Sequence, residues 1–159
     1  MFGKYVVSAI VAIVPLVGGF LVWQNSQQAQ AKSAGWIAPA EGQTLAQGKQ
    51  LYDANCASCH GAKFEGQFNW RQRMANGKLP APPHDVSGHT WHHPDAQLID
   101  IIKQGLVAGV NAPAGYQSDM PGFAKTLNDE QIRQILGYIK TSWNQQALNA
   151  QREVTLKRQ

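Results

Sequence analysis

The chain has 159 residues, a net charge of +4 at neutral pH and 15% charged residues, with a pI near 9.2. That length holds one ordinary domain and an appendage. From Trp36 to Ala150, nine Lys or Arg face nine acids, so the basic surplus lies at the ends, in Lys4, Lys32, Arg152, Lys157 and Arg158. With no basic patch interleaved by aromatics, a nucleic-acid partner is excluded. The two cysteines both fall in one short motif. No separate pair remains for a structural disulfide.

Tyr5 to Trp23 runs nineteen residues without a charge, enough for a helix of roughly 28 Å, close to the hydrocarbon thickness of a bilayer. Lys4 precedes it, Tyr5 and Trp23 stand at its two ends, and a polar run follows. This predicts a single membrane anchor over residues 1–24, its amino terminus in the cytoplasm. The competing reading is a cleaved signal peptide, with Ala29-Gln30-Ala31 as the small-x-small site. Either way the remainder of the chain is exported. Residues 25–42 are polar, with Gly35, Pro39 and only Trp36 and Ile37 as apolar points, and read as a linker.

From about Thr44 the pattern turns helical. Leu45, Gly48, Tyr52 and Cys56 share one face, and Gly48, a poor helix former, marks a place where another helix crosses closely. The face leads into Cys56-Ala57-Ser58-Cys59-His60, which reads as a covalent haem attachment site. Two thiols separated by two residues can bond both vinyl groups of one haem, and the following histidine becomes an axial ligand of the iron. A zinc site would need further ligands at short spacing, and a thioredoxin-like pair would need alternating strands and helices. Neither is present in the pattern.

Gly61 to His93 and Leu106 to Leu127 are rich in Gly, Pro and Asn and read as loops wrapped on the cofactor. Between them Pro94 and Asp95 start a helix with Leu98, Ile101 and Ile102 as its stripe, ended by Gly105. A last helix opens at Asn128, with Asp129 and Glu130 in its first turn and Gln131 completing a capping box. Ile132, Ile135, Leu136, Ile139 and Trp143 form its apolar face. The polar tail, residues 145–159, either continues that helix or is disordered. Met120, in Ser118-Asp119-Met120-Pro121-Gly122-Phe123, is a candidate second axial ligand because proline stiffens the backbone after the sulfur. The rivals are His84, His89, His92 and His93.

Gly48, Tyr52, the Cys56–Gly61 motif, Met120-Pro121-Gly122-Phe123 and Ile135-Leu136-Gly137-Tyr138-Ile139-Lys140 resemble the monohaem class I cytochrome c family, over about Thr44 to Trp143. The resemblance implies an all-α class I cytochrome c fold over residues 43–144, preceded by one transmembrane helix. One haem c would be held by Cys56 and Cys59 and ligated by His60 and Met120, with the first and last helices of the domain crossing where Gly48 and Tyr52 meet Ile135 and Tyr138. It also implies a proline carbonyl orienting His60, a role for Pro82 or Pro83. Trp91, Asn69, Trp70, Arg71 and Arg73 are the candidates for contacts to the haem propionates. The segment from Gly88 to Asp95 resembles that of membrane-bound bacterial members. The expected function is one-electron transfer between respiratory or dehydrogenase partners, without catalysis, from the periplasmic side of the bacterial cytoplasmic membrane. Two alternatives are a fixed haem subunit of a larger oxidoreductase, and a small haem enzyme or gas sensor with a labile Met120.

Overall fold

The computed structural model describes residues 35–158. The expected anchor, Tyr5 to Trp23, lies outside them, and among the described residues no helix is long and apolar enough to cross a membrane. Among the described residues, five α-helices and one short 3-10 turn make up the regular structure: α1 (Gly42–Asn55), α2 (Ala57–His60), the 3-10 turn (Thr90–His92), α3 (Asp95–Gln104), α4 (Asp129–Lys140) and α5 (Gln145–Lys157). No strand occurs among the described residues, only an isolated bridge between Ala108 and Ala112. The all-helical expectation therefore stands for this part of the chain.

α1 and α4 form the main helix pair. A Cβ at Gly48 would lie 2.4 Å from the Gln134 carbonyl oxygen and 2.9 Å from Tyr138 Cβ, so the helices approach at backbone distance there. Tyr52, Ile132, Ile135, Leu136, Ile139 and Trp143 are buried around the crossing, joined by Leu98 and Ile102 from α3. Leu45 departs from the expected face: it lies one turn before the crossing and stays 36% exposed. α4 begins with the expected capping box, Asn128 and Gln131 exchanging bonds of 2.9 Å. α3 stops at Gly105, whose φ of 76° suits a residue without a Cβ.

Two expectations at the domain's edges are corrected. The tail is neither a continuation of α4 nor disordered. The chain turns after Lys140, Asn144 caps a new helix by accepting from the Ala147 N–H at 2.9 Å, and α5 buries Gln151 and Thr155. The expected linker also ends early, because Ala40 is buried and its N–H donates to the Gly137 carbonyl at 2.9 Å.

Both corrections trace to one buried polar cluster. Lys140, fully buried, donates to Asp95 Oδ1 at 2.6 Å, Ile37 O at 2.7 Å and Gln151 Oε1 at 2.9 Å. Asp95 in turn accepts from the Ile37 N–H at 2.7 Å and from Gln151 Nε2 at 2.8 Å, and its own N–H donates to Thr155 Oγ1 at 3.1 Å. Trp36 Nε1 donates to Gln151 Oε1. Asp95 is thus more than a first-turn acid of α3. It ties the entering segment, α3, α4 and α5 to one charge pair, with every partner hydrogen-bonded as a buried charge requires.

Candidate haem-binding site

The site grows from the end of α1. The Cys56 N–H donates to Tyr52 O at 2.8 Å, and the His60 N–H to Cys56 O at 2.9 Å. The one turn of α2 therefore presents both thiols and the imidazole within five residues. Tyr52, fully buried, donates its hydroxyl to Gly61 O at 2.9 Å and fixes the exit from that turn. No disulfide joins the two cysteines; Cys56 is half-buried and Cys59 exposed. Burial, and then the neighbouring Cys59, pushes the Cys56 thiol up to about 12. An uncharged sulfur belongs there, as a thiol or a thioether.

His60 is buried, and its Nδ1 lies 2.8 Å from Pro82 O. A carbonyl only accepts, so the proton sits on Nδ1 and the Nε2 lone pair is left free to bind a metal. Burial lowers the His60 pKa, with the Pro82 carbonyl opposing in part, which keeps the ring neutral as a ligand must be. The choice between Pro82 and Pro83 falls to Pro82. Pro83's carbonyl packs over Gly88 instead, where a Cβ would come within 2.0 Å of it.

The proline loop is strapped down along its length. Gln67 N–H donates to Ala81 O at 2.8 Å, Gly66 N–H to His60 O at 2.8 Å, His84 N–H to Phe64 O at 2.9 Å and Trp143 Nε1 to His84 O at 2.7 Å. The ring of His84, one of the rival ligands, stacks on that of His60, centroids 3.9 Å apart and planes 20° apart. Its Nδ1 is buried without a partner, and burial followed by the nearby His60 and His89 holds it well below the ordinary histidine pKa. Nothing in the spacing of His60 and His84 signals this pairing; the proline loop's return creates it.

Met120 is half-buried and packs against the hydrophobic core. Its loop is pressed onto the end of α3: Phe123 N–H donates to Ile102 O at 2.9 Å, and a Cβ at Gly105 would lie 2.7 Å from Met120 O. Lys78 and Asp119 pair across to the proline loop. Trp91, in the 3-10 turn, stacks on His92 at 3.7 Å, and its Nε1 is buried with no acceptor. Arg71 is exposed, its guanidinium over the Trp70 ring at 4.0 Å and its Nη2 donating to Ser87 O at 3.1 Å. Arg73 donates to Gly77 O at 2.7 Å, and Asn69 holds a positive φ of 55°. Among the described residues no three His, Cys, Asp or Glu side chains gather to hold a metal ion.

The family model for cytochrome c matches residues 45–143. The cbb3-type cytochrome c oxidase subunit CcoP of Azospirillum sp. (strain B510) is 30% identical over 102 residues, which is 63% of this chain and 29% of that protein. CcoP of Azospirillum brasilense is 33% identical over 93 residues, 58% of this chain and 26% of that protein. Cytochrome c-555 of Prosthecochloris aestuarii is 32% identical over 74 residues, 43% of this chain and 75% of that protein. The chain thus matches less than a third of the CcoP relatives' length.

Proposed function

Because the chain belongs to the cytochrome c family and binds haem c covalently, we propose that it is a membrane-tethered one-electron carrier, its haem held by Cys56 and Cys59 and ligated by His60 and Met120. The observation that carries the reading is the Nδ1 contact of His60 with Pro82 O, at 2.8 Å, which aims a free Nε2 away from the loop. The residues present fit the group. Two cysteine sulfurs outside any disulfide, a neutral buried imidazole, a half-buried thioether and an indole N–H lacking an acceptor form a donor set for a flat apolar ring with carboxylates. Haem supplies the one-electron Fe(III)/Fe(II) couple.

The chain's own residues do the rest. Pro82 holds the His60 proton on Nδ1, raising the basicity of the opposite nitrogen. A thioether from Met120 favours reduced iron and a higher potential than a second histidine would. Trp91 Nε1 is the donor for a propionate, since its buried N–H costs free energy unless an acceptor reaches it. Arg71, exposed and already engaged by Trp70 and Ser87, is a weaker candidate for that role. His60 and Met120 together would hold the iron and leave no place on it for a substrate, so the reading is electron transfer without catalysis. Electrons pass at the edge beside the exposed Cys59. Tyr5 to Trp23 anchors the domain on the periplasmic side of the bacterial cytoplasmic membrane, where tethering raises its effective concentration near a respiratory partner.

The deciding experiment is the absorption spectrum of the haem-loaded protein, oxidised and reduced. A weak band near about 695 nm in the oxidised form, lost in Met120→Ala, is expected for thioether ligation. An unchanged spectrum in that variant would remove Met120 as the ligand. A second reading, a fixed subunit of a larger oxidase, draws on the relatives named as oxidase subunits. Purification in mild detergent separates the two: a shuttle comes away alone, a subunit in a stoichiometric complex.

A further inference from the structure

Resting on His60 as the axial ligand, we propose that His84 is the positioning residue that sets the plane of the His60 imidazole, by stacking its own ring flat against it. One hydrogen bond fixes a point. The contact from Nδ1 to Pro82 O locates one atom of the ring but leaves the ring free to turn about that line. The stacked His84 ring, 3.9 Å away and 20° from parallel, supplies the missing constraint, because two flat faces resist relative rotation where a rounded aliphatic side chain would not.

The constraint is useful only if His84 is itself held, and it is held from three directions. Its N–H is bonded to Phe64 O at 2.9 Å, and its carbonyl accepts from Trp143 Nε1 at 2.7 Å. Its ring meets the edge of fully buried Tyr52 with centroids 5.9 Å apart. The preceding Pro83 is clamped between two glycines: a Cβ at Gly66 would lie 2.4 Å from Pro83 N, and one at Gly88 2.0 Å from Pro83 O. The plane of His60 is thereby referenced to α1 through Tyr52 and, through Trp143, to the turn that joins α4 and α5. A shift of either would be transmitted to the ring.

The orientation of an axial imidazole determines how unpaired spin spreads over an oxidised haem, so the test is the proton NMR spectrum of the full-length, haem-loaded, oxidised protein in detergent. The order and spread of the four haem methyl resonances report the ring plane. Two variants are compared, His84→Leu, which fills the space without a flat face, and His84→Phe, which restores the face without nitrogen atoms. The expected result is a reordered or compressed methyl pattern in H84L and the wild-type pattern in H84F. A wild-type pattern in H84L would overturn the proposal. So would a displaced pattern in H84F, whether or not H84L folds. Failure of the underlying ligand reading shows separately, as a wild-type protein whose spectrum lacks low-spin, histidine-ligated iron.

Discussion

The buried pair of Lys140 and Asp95 makes a quantitative prediction. Burial, the largest influence on Lys140, pulls its pKa from 10.5 to about 8, although the Asp95 charge and hydrogen bond pull it back up. At about 1.4 kcal/mol per pKa unit, that difference means the folded protein at neutral pH carries a cost of about 3 kcal/mol for a charged lysine in this place. The sign follows from proton binding. Between pH 8 and 10.5 the unfolded chain holds a proton on Lys140 that the folded chain has lost, so stability rises with pH through that window. The perturbation is Lys140→Met, which keeps length and apolar packing. The assay is guanidinium unfolding of the haem-loaded protein, followed by circular dichroism at pH 7 and pH 10, with the wild type alongside. The wild type should gain about 2 to 3 kcal/mol from Lys140 between those values, and K140M should lack that increment. Asp95→Ala is the complement. It strands the lysine without its counter-charge and should cost about 3 to 5 kcal/mol at pH 7, with α5 loosening first. If K140M keeps the whole pH-dependent rise, the origin assigned to it is wrong. If D95A unfolds like the wild type, the pair does not hold α5 to the body.

Gly48→Ala should destabilise by about 1 to 3 kcal/mol despite the better helix propensity of alanine, because its Cβ would meet the Gln134 backbone; thermal unfolding measures it. Asn128→Ala removes the capping box of α4 and should lower stability by about 1 kcal/mol in the same denaturant assay. Tyr52→Phe leaves Gly61 O without its hydroxyl donor and should cost about 1 kcal/mol; an equal stability would mean that water replaces the bond. Gly88→Ala drives a Cβ into Pro83 O, so the yield of haem-loaded protein should fall below that of the wild type; an equal yield would mean that the proline loop can shift to admit it.

Local signals carried most of the fold. α3 and α4 were readable because each has an apolar stripe at helical spacing and a start or stop signal that works within a few residues: Pro94 and Gly105 for one, Asn128 and Gln131 for the other. The attachment motif was readable for the same reason, its chemistry being contained in five consecutive residues. α5 was not. Its sequence is polar, and the partners that make Gln151 and Thr155 worth burying come from Trp36, Asp95 and Lys140, far away along the chain. Lys140 and Asp95 gave no sign of pairing, since a lysine at a helix end and an acid at a helix start each have an ordinary local explanation.

The site divides along the same line. Residue type and spacing alone put Cys56, Cys59 and His60 into one motif; that a proline carbonyl, from Pro82 or Pro83, was the partner to seek came from the family resemblance. Which carbonyl reaches His60, and which ring lies flat against it, were decided by the tertiary path of residues 81 to 88, pressed between Gly66, Gly88 and Trp143. A covalent motif is a matter of neighbours in sequence. The orientation of an imidazole is a matter of neighbours in space, and those are set by packing contacts that no local pattern encodes.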